Sequence, residues 1–222
     1  MDTEKMKIAI LALQGAFLEH QQMFARLGVE TTLIRNLDDW NSFAAPASAA
    51  LSAANRRWRG RGLVIPGGES TAMLRIMCDE GLLEPLRSAI AGGLPVFGTC
   101  AGMILLAKDV VCGSEAQTEQ ERQRRRLATM DITVRRNAYG RQLGSFFTEA
   151  EFAGVGSVPM TFIRAPYIED VRPGVDVLAT VDGHIVAARQ GHQLVTSFHP
   201  ELNGGTRIHQ FFIKMIEASH RP

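Results

Sequence analysis

The apolar positions of the chain fall into two textures that meet near residue 127. In the first, short and fully apolar runs alternate with stretches whose apolar residues recur every three or four positions. Residues 7–13, 29–34, 62–65 and 94–98 have the length and apolar density of buried strands. Between them, 16–27, 70–78 and 82–91 carry helical spacing, and 101–107 opens another helix directly behind the fourth strand. Phe17, Phe24 and Leu27 share one side of the first helix, and Gly28 stops it. Short apolar strands separated by helices predict a parallel sheet with right-handed crossovers.

After residue 127 strand-like segments follow one another: 128–135, 145–152, 160–164, 175–181, 184–190 and 193–198. Asp182-Gly183 between two of them is a hairpin signal. A last helix is marked by Ile208, Phe211, Phe212, Met215 and Ile216 at helical spacing. No Pro- or Ser-rich linker divides the chain. One α/β domain over 1–222 is therefore expected, with a mostly parallel central sheet flanked by helices and added antiparallel strands. Two stretches fit poorly. Residues 44–55 are rich in Ala and Ser and run into Arg56-Arg57-Trp58-Arg59-Gly60-Arg61; residues 114–126 are polar and end in Arg124-Arg125-Arg126. Solvated surface insertions near 42–60 and 113–126 are expected, with docking of an acidic partner as the alternative.

Composition narrows the class. The 222 residues are 45% hydrophobic and 21% charged, which suits a folded globular chain. Lys+Arg 24 against Asp+Glu 23 gives a formal charge of +1, so no global positive excess points to nucleic acid or an anionic membrane. No apolar run is long enough for a membrane span, and the acidic start Met1-Asp2-Thr3-Glu4-Lys5 is unlike a secretory leader. Three Cys are too few and too odd for a disulfide framework. Free thiols in a cytoplasmic protein are expected.

The chemistry concentrates at Gly98-Thr99-Cys100-Ala101-Gly102, where an apolar strand meets a helix. A nucleophile flanked by small residues at such a junction is a nucleophile elbow. The turn lifts Cys100 above the sheet at a helix N-terminus, which favours the thiolate, and aims the Ala101 amide where an oxyanion would form. The bland alternative is a small buried Cys in a Gly-rich turn. Of six His, His199 stands out in Ser197-Phe198-His199-Pro200-Glu201. On an extended segment His199 and Glu201 project to one side, so Glu201 can hold the imidazole and complete a Cys–His–Glu arrangement. His20 and His209, on the first and last helices, suit surface or partly buried structural roles. His184 and His192 flank turns and receive no role. Pro66-Gly67-Gly68-Glu69-Ser70-Thr71 ends the third strand; its glycines allow close approach of a ligand, and Ser70 or Thr71 can cap the next helix. It lacks the spacing and the Lys of a phosphate loop.

Taken in order, these pieces resemble the class I, triad glutamine amidotransferases, which have a flavodoxin-like fold. Within them the chain is similar to the glutaminase subunits of pyridoxal 5'-phosphate synthase. The resemblance rests on Leu11-Ala12-Leu13-Gln14-Gly15, on the loop at 66–71, on the stretch from Val134 to Gln142 with Arg136 and Asn137, on Phe162-Ile163-Arg164-Ala165-Pro166, and on Ser197 to Leu202. It implies hydrolysis of L-glutamine to glutamate and ammonia. Cys100 would attack the side-chain amide, His199 would carry the proton to the leaving ammonia, and Glu201 would orient His199. Amides of Gly68 and Ala101 would form the oxyanion hole. Gly68, Glu69, Ser70, Arg136, Ile163 and Arg164 would hold the substrate, whose zwitterionic end needs both an acceptor and donors. The resemblance implies no cofactor and no metal; pyridoxal 5'-phosphate is what the complex makes. The partner implied is the synthase subunit, which receives ammonia through a tunnel and activates the glutaminase on docking. Gln14 resembles a position near that interface. The chain departs from the family at Leu143-Gly144-Ser145-Phe146-Phe147, where two acids are missing. The other readings are a triad glutaminase serving a different synthase, such as the imidazole glycerol phosphate system, and a flavodoxin-like protein with a reactive Cys that is not a glutaminase.

Overall fold

The computed structural model describes residues 6–45, 58–111, 126–136 and 145–219. The apolar runs of the first half form β1 (Lys7–Leu11), β2 (Glu30–Ile34), β3 (Arg61–Ile65) and β4 (Val96–Thr99), all parallel, in the order β2, β1, β3, β4. Helices carry each return to the sheet: α1 (Phe17–Arg26), α2 (Leu37–Ala44), α3 (Ser70–Asp79) with α4 (Leu83–Ala91), and α5 (Ala101–Leu106). The second half adds β5 (Ala107–Val111), β6 (Met130–Arg135), β7 (Ser145–Phe152), β8 (Gly156–Ile163), β9 (Tyr167–Val171), β10 (Asp176–Val181), β11 (His184–Gln190), β12 (Gln193–Thr196) and the helix α6 (Arg207–Ala218). β12 joins β4 in parallel, and β11, β9, β6 and β5 extend the sheet from it, to ten strands once β10 has paired with β11. β7 and β8 form a separate antiparallel pair.

The central strands β1, β3, β4 and β12 are buried without alternation because both faces of the sheet are covered there. On one face Ala9, Leu11, Leu63, Ile65, Val96 and Val195 pack with Trp40, Met73, Met77, Leu86, Ile90 and Met103 from α2 to α5. On the other, Ile8, Ile10, Val64, Phe97 and Leu194 meet Phe24 of α1, Ile208, Phe212 and Ile216 of α6, and Phe152, Met160 and Phe162 of the β7–β8 pair. Each of the Val, Leu, Ile, Phe and Met side chains among them contributes about 1.5–3 kcal/mol on burial. The Asp182-Gly183 turn has φ of 50° and 78° and pairs Val181 with His184, the two-residue hairpin geometry its sequence predicts.

Three elements differ from expectation. α2 lies where the solvated stretch was expected to begin: the Asn36 side chain accepts the Asp39 N–H at 2.9 Å, and Trp40, Phe43 and Ala44 are buried. At the other end of that stretch Trp58 is buried against Trp40, with ring centroids 6.0 Å apart, and buried Arg61 donates to the Phe43 carbonyl. The ends of the 42–60 segment are thus core, while residues 46–57 lie outside the described residues. Similarly Arg126 is buried, donating to the Lys108 carbonyl at 3.3 Å and accepting from Arg87 through its own, whereas residues 112–125 lie outside the described residues. Lastly, β5 follows α5 with no loop, and β9, whose sequence Tyr-Ile-Glu-Asp-Val is half polar, carries no strand signal. Among the described residues no helix is long and apolar enough to cross a membrane.

Candidate active site

Cys100 sits between the last residue of β4 and the first of α5, at φ 48° and ψ −98°. A positive φ in a residue with a Cβ stores about 1–3 kcal/mol and persists only where the surroundings impose it. Here they do: the Cys100 N–H donates to the Thr196 carbonyl of β12 at 2.8 Å. The strain falls on the cysteine itself, and the flanking glycines serve packing instead. A Cβ on Gly102 would lie 2.2 Å from the Ile65 carbonyl oxygen, and one on Gly98 would lie 2.7 Å from Leu106 Cδ1. Only glycine lets α5 start this close to the sheet. As the first residue of α5, Ala101 offers an N–H that has no partner within its helix.

His199 and Glu201 come together at the end of β12, by a route other than a shared strand face. The strand ends at Thr196, and Pro200–Leu202 form a single 3-10 turn that folds the Glu201 carboxylate back. His199 Nδ1 then stands 2.7 Å from Glu201 Oε1. The backbone of His199 is held on both sides: its N–H donates to the Thr161 carbonyl at 2.8 Å, and its carbonyl accepts from Asn203 Nδ2 at 3.1 Å. All three side chains are buried, with Cys100 7%, His199 6% and Glu201 5% exposed. Burial opposes a charge on His199, yet hydrogen bonds to Cys100 and Glu201, with their negative charge, carry its pKa up to about 10. Burial likewise opposes charge on Glu201, and the electrostatic interaction with the His20 ring, with the hydrogen bond from His199, overrides it and holds the carboxyl below the usual range. The ring keeps its proton at neutral pH.

A cavity of about 400 Å³ opens above Cys100 and His199, within the usual range for a small-molecule site. Gln14, Gly68, Glu69, Ser70, Arg136, Ile163 and Arg164 all line it, so residues predicted from four separate stretches meet in one place. Arg164 holds a positive φ of 42° at the end of β8, and Ile163 beside it is exposed. The loop at 67–69 is wedged. A Cβ on Gly67 would lie 2.2 Å from His199 Cε1, and one on Gly68 would lie 2.3 Å from Gln14 Oε1. Gln14 Oε1 accepts the Glu69 N–H at 2.7 Å, and the Ala16 N–H donates to the Gly67 carbonyl at 3.0 Å. The helix cap is Glu69, not Ser70 or Thr71: its two carboxylate oxygens accept from the N–H groups of Thr71 and Ala72 at 3.0 and 2.7 Å. Burial opposes its charge, but those amides and Arg136, 3.3 Å away, hold its carboxyl below the usual range. Residues 137–144 of the stretch that follows Arg136, including the departure at Leu143-Gly144, lie outside the described residues, as does Cys112.

Two histidines expected in surface or partly buried structural roles are wholly buried. His20 and His209 have no exposure, and His20 lies against Glu201, its Nε2 3.4 Å from Oε2. A sequence signal existed: His20 falls between Phe17 and Phe24 on the apolar side of α1. His192 Nε2 stands 2.7 Å from the Ile90 carbonyl, and His184 stacks on Tyr167 at 4.1 Å, both away from the cavity. Cys78 is an exposed free thiol.

Residues 10–218 match the SNO glutamine amidotransferase family. The pyridoxal 5'-phosphate synthase subunit PdxT of Streptococcus pneumoniae strain ATCC 700669 / Spain 23F-1 is 52% identical over 212 residues, spanning 96% of this chain and 98% of that protein. The same subunit from strain CGSP14 is 52% identical over 216 residues, spanning 97% and 100%. Among solved structures, one described as a glutamine amidotransferase superposes with a TM-score of 0.76 at 36% identity, over 95% of this chain and 98% of that one. A putative GMP synthase protein from Thermoplasma acidophilum shares the fold, with a TM-score of 0.61 at 16% identity over 97% and 96%.

Proposed function

The chain belongs to the SNO glutamine amidotransferase family, and we propose that Cys100, His199 and Glu201 carry its reaction within the cavity described above. The protein hydrolyses L-glutamine to L-glutamate and ammonia, and the ammonia feeds formation of pyridoxal 5'-phosphate, as the PdxT relatives indicate. The observation that carries the residue assignment is the buried imidazole held 2.7 Å from Glu201 and hydrogen-bonded to a cysteine in an elbow.

In this reading the Cys100 thiolate attacks the side-chain amide carbon of glutamine. The developing oxyanion is met by the amides of Gly68 and Ala101. His199 gives its proton to the departing nitrogen, which leaves as ammonia, and a γ-glutamyl thioester remains on Cys100. A water that gives its proton to His199 then attacks the thioester and releases glutamate. Glu201 keeps the ring in the one tautomer and orientation that serve both steps. Arg164 and Arg136 suit the α-carboxylate, and Glu69 suits the α-amino group, since its carboxylate stays ionised. No step calls for a cofactor or metal.

The partner in this reading is the synthase subunit of the same complex, with this protein in the cytoplasm. Gln14 supports a coupling role: it reaches the Glu69 amide and fills the space beside Gly68, so a partner that moves Gln14 moves the oxyanion loop. Gln14→Ala should lose most of the stimulation by the synthase, and near-normal stimulation would remove that role. The residue assignment is tested by treating the protein with a glutamine-analogue electrophile and mapping the adduct by mass spectrometry. Modification at Cys100, protected by glutamine, is expected; modification elsewhere with Cys100 intact would overturn it.

A further inference from the structure

The chemistry set out above leaves one buried group unused. His20 of α1 stands behind Glu201, its Nε2 3.4 Å from Oε2 and 3.2 Å from the Thr99 hydroxyl oxygen. Its other ring nitrogen, Nδ1, is 3.0 Å from Nε2 of His209 on α6. Phe97 and Phe24 wall this chain of polar groups, with Phe97 edge-on to His20 at 5.7 Å and Phe24 edge-on to His209 at 5.0 Å. Four separate elements thus deliver four polar side chains to an apolar layer, where each must find a partner.

The protons can be placed. Glu201 Oε1 belongs to His199, whereas Oε2 is buried and accepts no hydrogen bond. An ionised carboxylate with one oxygen unserved in the protein interior is costly, and a proton on His20 Nε2, hydrogen-bonded to the Thr99 hydroxyl oxygen, turns a partial positive charge toward that oxygen at 3.4 Å. With the proton on Nε2, His20 Nδ1 is an acceptor, and His209 Nε2–H donates to it. His209 Nδ1 is then a bare lone pair, and that atom has no partner. An unpaired acceptor is tolerated better than an unpaired N–H. The reverse placement would aim a lone pair at the carboxylate and leave an N–H stranded on His209. Burial keeps both rings neutral, against the pull of Glu201 on His20.

We propose that His20 is a positioning residue for glutamine hydrolysis: its Nε2–H is held by the Thr99 hydroxyl oxygen at 3.2 Å and its Nδ1 by His209 at 3.0 Å, and so fixed, the ring faces Oε2 of Glu201 at 3.4 Å and resists rotation of the carboxylate while His199 gives up and regains its proton. The inference rests on the triad reading above. It makes the triad the outer part of a line that runs from Cys100 at the cavity to His209 under α6.

The test compares two amides in the presence of the pyridoxal 5'-phosphate synthase partner, reading kcat and KM for glutamine and the melting temperature of each variant. His20→Gln places an amide nitrogen where Nε2 stood and still reaches Glu201; His20→Asn places one near the old Nδ1 and does not. His20→Asn should lower kcat by about 10- to 100-fold with KM unchanged, the range for residues that orient a catalytic group. His20→Gln should recover most of the turnover. Equal kcat in the two variants would overturn the proposal. If neither folds, the isosteric Thr99→Val decides: several-fold lower kcat at unchanged KM supports it, and wild-type kcat overturns it. Cys100→Ala, assayed alongside, separates the two readings, because hydrolysis that survives there overturns the triad itself.

Discussion

Gly67→Ala places a methyl group where the proposed catalytic ring already stands. The added Cβ would lie 2.2 Å from His199 Cε1, 2.9 Å from Nδ1 and 3.2 Å from Nε2. Ordinary contact begins at 3.4 Å, so the ring or the loop must give way by about 1.2 Å. Neither side has slack. The ring is tied to Glu201 at 2.7 Å, and the His199 backbone to Thr161 at 2.8 Å and to Asn203 at 3.1 Å. The loop is tied by the Ala16 N–H on the Gly67 carbonyl at 3.0 Å and by Gln14 on the Glu69 amide at 2.7 Å. Displacing a reacting group by about 1 Å costs on the order of 100-fold in rate. Overpacking of this kind costs about 1–3 kcal/mol of stability, and each kcal/mol lowers Tm by about 2–4 °C in a chain of this size. Steady-state glutamate release in the presence of the synthase partner should therefore show kcat/KM about 100-fold lower, with a fall of about 2–12 °C in Tm. Gly204→Ala is the control: nothing lies within 4 Å of its added Cβ, and both quantities should stay at wild-type values. Wild-type kcat/KM in Gly67→Ala would refute the claim that this loop sets the position of His199.

Trp58→Ala should cost about 3–5 kcal/mol, because the ring is buried against Trp40; an unchanged Tm would return the end of the 42–60 segment to the surface. Arg164→Ala and Arg136→Ala should each raise KM for glutamine about 10-fold or more with kcat nearly constant, the signature of losing a charge-assisted bond present equally in ground and transition states. Unchanged KM in both would remove them from the substrate site. The pKa of His199, raised from 6.5 to about 10 by Cys100 and Glu201 against burial, contributes stability that is full below about 6.5 and is lost as pH rises through 10. Glu201 has the opposite sense, its contribution being present above the ordinary carboxyl range and lost as pH falls through its lowered value. Thermal melting from pH 6 to pH 10 should show a steeper loss in wild type than in Cys100→Ala, where one cause of the raised value is gone; parallel curves would contradict it.

The parallel half of the fold could be read in the chain because both its cores are apolar: β1, β3 and β4 are uninterrupted runs, and no competing pattern fits them. The β10–β11 hairpin could be read because Asp182-Gly183 fits the positive φ values its turn needs. β9 could not, since its five residues alternate too weakly and its place depends on β6 and β11, distant in sequence. α2 was hidden by the Ala- and Ser-rich stretch beside it, although Asn36 and Asp39 mark its start. At the site, Cys100, His199 and Glu201 stood out by spacing, yet the spacing argument assumed a strand where the backbone makes a 3-10 turn. The Glu69 cap was missed because two hydroxyl residues follow it and cap more often. His20 was missed for a deeper reason. A histidine on the apolar side of a helix says nothing about what lies across the sheet, and only folding brings it to Glu201, 181 positions away, at 3.4 Å.

The central claim is tested most directly by glutamate release from L-glutamine by the purified protein, with and without the pyridoxal 5'-phosphate synthase subunit, for wild type and Cys100→Ala. Release that rises when the synthase subunit is added, and that vanishes in Cys100→Ala while the variant keeps its Tm, is the predicted result. Release that the synthase does not stimulate, or that persists without the Cys100 thiol, would contradict it.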